Sequence, residues 1–219
     1  MERFFHSELE TMKSHLMLMG EKAYEAVECS IQALADRDID LAEKVIASDD
    51  EIDALEIEID HEATRYLTLR SPVASDLRLI TVAIKASHDL ERVGDEAHNI
   101  AKRARNLILK SKGEYDLLQI REMAEKAKAM LRMSMDCFVN EESEKAQEVL
   151  ASDAEVDRLN KDNFKGFIKL VKNEPEDTKR YMDLIFISKS LERIADHATN
   201  LAEEIIFLTT AAESRHSGL

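Results

Sequence analysis

The chain has 219 residues, 44% hydrophobic and only 5% aromatic, with five Gly, two Pro and no Trp. Barrels, sandwiches and doubly wound sheets draw on Gly and Pro for their frequent turns, and here the pair falls far below the roughly 12% of average usage, which leaves few, long elements. The 45 acidic and 30 basic residues give a net charge of -15, a field that repels phosphate backbones and anionic lipid heads and makes cations or a basic protein surface better partners than nucleic acid.

The opening MERFFHSELE lacks the basic segment, apolar run and cleavage site of a signal peptide, and no apolar stretch approaches the ~18 residues of a membrane span. A cytoplasmic chain without direct membrane insertion is therefore expected. In chain order, apolar residues spaced three and four apart predict a first helix from about Phe4 to Ala35 and a second from about Leu41 to Leu69, with Asp38 or Asp40 as the intervening cap. Ser71-Pro72 opens a third helix running to about Lys110, because proline is tolerated in a first turn but not in an interior. KSKGEYD reads as the domain linker, followed by helices over about Leu117 to Val139, Glu142 to Lys172 and Pro175 to Thr210. The strictest stripes are Ala83, Ala86, Leu90, Val93, Ala97, Ile100, Ala104 and Leu107, and Leu184, Ile187, Leu191, Ile194, Ala198, Leu201, Ile205 and Leu208. Stripes this regular suit antiparallel, coiled-coil-like packing. Cys29 and Cys137 fall in such stripes and match neither a redox pair nor a zinc site. The nine methionines follow the stripes as flexible core filler.

The halves are copies. Residues 47–55 read ASDDEIDAL and 151–159 read ASDAEVDRL, identical at six of nine positions; 90–101 read LERVGDEAHNIA and 191–202 read LERIADHATNLA, identical at seven of twelve. The fold is therefore expected to be all-α, two tandem three-helix bundles divided as 1–111 and 112–219.

The duplication also keeps acids. Glu91, Asp95 and Asn99 stand four apart on one helix, as do Glu192, Asp196 and Asn200, so each set forms a ladder of oxygen donors. At about 100° per residue the ladders lie far from the apolar stripe and are expected to point outward. Asp49 and Asp53, with copies Asp153 and Asp157, form a second acidic row on the preceding helix. These acids persist while nearby surface residues changed, for instance Asp60 against Phe164. One reading is ordinary solvated carboxylates, with Arg92 and Arg193 in surface ion pairs. The other is cation binding, where hard oxygen donors suit Mg, Ca, Mn or ferric iron. A buried di-iron enzyme needs two inward Glu-x-x-His pairs, and only Glu58 with His61 occurs. His98 and His197 occupy non-equivalent positions and are expected at the surface. Lys102, Arg103, Arg105 and Lys110 gather where cations favour a helix C-terminus. Without a phosphate-cradling Gly loop, a Gly-x-Ser-x-Gly elbow or a Cys/His nucleophile, no enzymatic activity is expected.

Two copies of Leu-Glu-Arg-(Val/Ile)-x-Asp-x-x-x-Asn-(Ile/Leu)-Ala, together with SPVASDLRLITVAIKASHDLERVGD, resemble the PhoU family of accessory regulators of bacterial phosphate transport. The resemblance spans nearly the whole chain. It implies paired three-helix bundles carrying multinuclear iron or zinc clusters at their surface and no organic cofactor. By that resemblance Glu91 and Asp95 match one cluster motif and Glu192 and Asp196 the other; Asp49, Asp53, Asp153 and Asp157 supply the neighbouring acids, and Asn99 and Asn200 are further donors. It also implies contact with the ATPase subunit of a phosphate ABC transporter and with a sensor histidine kinase, repression of phosphate-starvation genes, restraint of uptake, and peripheral membrane association through those partners. A homodimer is expected for long bundles with exposed sides. The alternatives are a carboxylate-bridged metalloenzyme and a metal-free helical scaffold.

Overall fold

A computed structural model describes residues 2–110 and 115–211, with side chains from Ser7 onward. The expected domain boundary at 111/112 lies outside the described residues. The regular structure among the described residues is all helical: α1 (Glu2–Asp36), α2 (Ile39–Ala47), α3 (Asp49–Leu69), α4 (Ala74–Lys110), α5 (Ile120–Asn140), α6 (Ser143–Asn173) and α7 (Thr178–Thr210). With α2 and α3 counted as one interrupted rod, these are the six expected helices, three to each half.

Boundaries follow local chemistry. Asp38 is the cap before α2, its Oδ1 accepting from Leu41 N at 2.9 Å. Pro72 stays outside α4, which begins two residues later, and Pro175 opens a short 3-10 turn, Pro175–Asp177, before α7. The expected single helix over 41–69 is interrupted at Ser48, whose φ and ψ of -91° and -2° stay right-handed but fall outside the range of a regular α-helix. There the Ser48 hydroxyl donates to Val45 O at 3.1 Å. Its copy Ser152 donates instead to Glu148 O, four residues back, and α6 continues unbroken. A serine hydroxyl that competes for backbone carbonyls can bend a helix or leave it intact.

The two halves are fused along one continuous core. Met12, Leu16, Met19, Ile59, Leu90 and Ile100 from the first half join Met123, Leu131, Phe167, Leu191 and Ile194 from the second. The seam between halves is chiefly α4 against α7. Its polar contacts run Lys85–Glu204 (3.2 Å), Asp89–His197 (2.9 Å), Glu96–Arg193 (2.9 Å) and Arg103–Asp183 (2.9 Å). Numbers rise along one helix as they fall along the other, so the pair is antiparallel. Beside it α1 meets α5 through Lys128–Glu28 at 3.3 Å and Arg132 over the Tyr24 ring. The expected basic cluster has structural work here: Arg103 also covers the Phe186 ring, and Arg105 pairs with Glu43 at 3.0 Å.

One small residue sets how closely α3 approaches α4. A Cβ added at Gly94 would fall 2.9 Å from Ile52 Cδ1. The corresponding pair in the second half is Ala195 with the smaller Val156, both buried. Gly94→Ala alone is expected to forfeit its helix-propensity gain of about 1 kcal/mol to crowding. Ile52→Val in the same chain should restore that gain, a coupling of about 1 kcal/mol in a urea double-mutant cycle. Strict additivity would remove the steric account.

Candidate metal centres

The first acidic centre lies between the start of α3 and the middle of α4. Asp49, the first residue of α3, sits within electrostatic reach of Asp95 on α4, and Asp53 one turn later is within reach of Asp49 and of Glu91. Burial pushes the Asp49 carboxyl above the usual range; His98 opposes that rise, and Asp53, Asp95 and Asp50 reinforce it. Burial likewise raises Glu91, with Asp95, Glu56 and Asp53 adding to the rise and Arg92 opposing it. The four acids singled out in the first repeat are therefore brought together.

The centre is less exposed than the helical wheel implied. The Glu91 side chain is 15% exposed, and its Oε2 makes no hydrogen bond, although Arg92 Nε lies 3.2 Å away. Arg92 also reaches Asp95 at 2.8 Å, so one guanidinium spans two rungs of the ladder. The surface placement expected for His98 is corrected: its side chain is also 15% exposed, with Nδ1 2.7 Å from Asp49 Oδ2. That approach is a close contact and not a hydrogen bond, since neither ring nitrogen has hydrogen-bond geometry to a partner. A wheel drawn on one helix counts distance from its own stripe and omits the neighbouring rod that closes over the flank.

Two residues absent from the sequence reading join this centre. His88 Nδ1 lies 3.3 Å from Glu56 Oε1, and donor atoms of Glu56, His88 and Glu91 fall within 4.8 Å of one another. Asn99 is exposed at the far end of the ladder.

The second centre repeats the plan between α6 and α7. Burial raises the Asp153 carboxyl, followed by Asp157 and Glu192, with Lys161 opposing. Asp196 is raised by burial, then by Glu192 and Asp153, and also by Asp157, against Lys189. Lys161 pairs with Asp157 at 3.0 Å, and Lys189 pairs closely with Glu192. Asn200 turns away from this ladder and donates to Asp89 Oδ1 at 3.0 Å across the seam. His197, also expected at the surface, is instead partly buried and bonded to the same carboxylate oxygen at 2.9 Å. Arg193 does not pair along its own helix, reaching Glu96 instead.

The copies differ in donor chemistry. Glu56, His88 and His98 of the first half correspond to Asn160, Lys189 and Thr199 of the second. The first centre thus offers carboxylates with imidazole nearby, a set suited to iron or zinc, and the second offers carboxylates flanked by lysines, suited to a harder ion. Clustered acids raised by burial and mutual repulsion, one with an unbonded buried oxygen, fit a cation in both places. A bound cation would supply positive charge against that repulsion, with Asp49, Asp53, Glu91 and Asp95 holding it in one centre and Asp153, Asp157, Glu192 and Asp196 in the other.

Comparison with known proteins points the same way as the doubled motif. The PhoU domain profile matches twice, over residues 16–104 and 120–205. The chain is 37% identical to the phosphate-specific transport system accessory protein PhoU homolog of Pseudomonas aeruginosa, covering 98% of this chain and 89% of that protein. It is 34% identical to the Clostridium acetobutylicum homolog, with 96% of each covered. The crystal structure of PhoU from Pseudomonas aeruginosa superposes with a TM-score of 0.92 at 36% identity, over 95% of this chain and all of that one. The phosphate transport system regulatory protein PhoU from Streptococcus pneumoniae gives 0.87 at 28% identity, over 95% and 98%.

Proposed function

The chain belongs to the PhoU family, and from that premise we propose that it is a metal-binding, non-enzymatic accessory regulator of phosphate transport. Metal ions, iron or zinc in the first centre by its donors, occupy the two acidic centres and hold α3 to α4 and α6 to α7. The protein works in the cytoplasm as an adaptor that contacts the ATPase subunit of a phosphate ABC transporter and a sensor histidine kinase, restrains phosphate uptake, represses the phosphate-starvation response, and acts as a homodimer. Its association with the membrane is peripheral, through those partners; among the described residues no helix is long and apolar enough to cross a membrane. The net charge of -15 argues against direct action on nucleic acid.

The observation that carries the metal reading is that both copies of the ladder face the copied acids of the neighbouring helix, with raised carboxyls in each. Like charges gathered in two partly buried places are costly unless a cation sits among them. Protein purified without chelators should contain metal that is lost from a chain carrying Glu91→Ala, Asp95→Ala, Glu192→Ala and Asp196→Ala, as read by elemental analysis. Equal metal in the two would return the acidic faces to solubility alone. The regulatory reading has its own test: cells lacking the protein should express alkaline phosphatase at high phosphate, and continued repression would remove that role.

A further inference from the structure

Away from both acidic centres, α1 and α3 run antiparallel and are laced by ion pairs. Glu8 meets Arg70 at 3.2 Å and Arg65 at 3.5 Å, and Lys22 meets Glu51. Between those rungs stands one of different chemistry: His15 Nδ1 lies 3.2 Å from Glu62 Oε2 and 4.0 Å from Glu58 Oε1. The flanking rungs use lysine and arginine, which have no lone pair for a metal; this rung alone of the three sets two carboxylates against an imidazole, which has one. Donor atoms of His15, Glu58 and Glu62 all lie within 4.8 Å of one another, and none of the three side chains is more than about half exposed.

We propose that His15, Glu58 and Glu62 bind a single divalent cation of the zinc class, fastening α1 to α3, with water completing the coordination. One imidazole and two carboxylates are ligands of the type zinc takes. Glu58 and Glu62 are one turn apart, so both present to the same partner. On the helical wheel they fall roughly opposite Asp49, Asp53 and Glu56, which makes this site separate from the first acidic centre. The duplication supplies an internal comparison. Glu62 corresponds to Gly166, where an added Cβ would lie 2.6 Å from Leu118 Cδ1, and Glu58 corresponds to Asp162, which pairs with Arg158 at 3.1 Å. The second half has filled the equivalent space, so the site belongs to the first half alone. His61, the histidine that sequence spacing pairs with Glu58, is exposed and stands outside the cluster.

The deciding measurement is the histidine-ring 1H–15N spectrum of the unmodified chain under Zn2+ titration. The His15 ring nitrogens should shift to saturation at one equivalent beyond those taken by the acidic centres. Glu62→Gln should weaken that shift at least about tenfold, and His61→Gln should leave it unchanged. In a chain carrying Glu91→Ala, Asp95→Ala, Glu192→Ala and Asp196→Ala, calorimetry should still record one Zn2+ equivalent, abolished by His15→Gln. A His15 ring that does not move at saturating Zn2+, or a shift indifferent to Glu62→Gln, overturns the site. Failure of the acidic centres would show separately, as metal content insensitive to the fourfold substitution.

Discussion

In chelator at neutral pH, Glu91→Gln and Asp153→Asn are expected to raise the thermal midpoint of the protein, although each removes a charged residue from an otherwise intact structure. Both carboxyls are held above their ordinary values, near 4.5 for Glu and 3.8 for Asp, first by burial and then by neighbouring acids. The sign follows from linkage. A group that holds its proton more tightly when folded contributes stability below its unfolded pKa, and that contribution is lost as pH rises through the folded value. Metal-free protein should therefore weaken as pH climbs from about 4 through the raised folded values of these two groups. Replacing one such carboxylate with its amide should return on the order of 1 kcal/mol, or roughly 2–4 °C for a chain of this size. With metal the slope reverses, because ligands bind the ion only when deprotonated and binding then stabilises the folded state. Melting curves with and without metal should diverge between about pH 4 and 7. A lower midpoint for either variant in chelator, or parallel pH profiles with and without metal, would show that the acids are ordinary solvated charges.

What could be read from residues alone was whatever both copies keep. The stripes of α4 and α7, the doubled Glu-x-x-x-Asp and the paired Asp49/Asp53 and Asp153/Asp157 stood out because two diverged repeats agree on them, and the structure brings each set of four together. The same filter hides anything confined to one half. Glu56, His88 and His98 have copies Asn160, Lys189 and Thr199, so the comparison that revealed the ladders passed over the residues that distinguish them. His15 and Glu62 were missed for a further reason, since they meet only when α1 and α3 pack, 47 residues apart in sequence. The break at Ser48 lay beyond any motif, because the ASD of residues 47–49 and 151–153 is shared while only one copy interrupts its helix. The inter-half seam was equally hidden: Asp89, Glu96 and Glu204 are buried polar residues on helices whose patterns place them at the edge of the stripe, and only the approach of α4 to α7 gives them partners.

The two centres should not bind the same ion equally well. The first has Glu56, His88 and His98 beside its four acids; the second has Asn160 engaged by Ser188 at 2.9 Å and Lys189 and Lys161 paired to its ligands. A cation entering the second centre must displace or share carboxylates with two lysines and finds no imidazole there, whereas in the first its main competitor is Arg92. Extra carboxylate and imidazole groups around a site typically change metal affinity 10–100-fold. Two half-loaded chains separate the centres, one carrying Glu192→Ala and Asp196→Ala, the other Glu91→Ala and Asp95→Ala, both with His15→Gln so that the α1–α3 rung does not contribute. The first centre should bind Zn2+ at least about tenfold more tightly than the second. For Mg2+ or Ca2+ the gap should narrow, because imidazole adds little for a hard ion. Lys189→His, which removes the competing ammonium and restores the residue found at position 88, should raise the Zn2+ affinity of the second centre toward that of the first. Equal Zn2+ affinities in the half-loaded chains, or a Lys189→His chain that binds no better, would mean that the four shared acids alone set the affinity and that Glu56, His88 and His98 serve only to position α3 against α4.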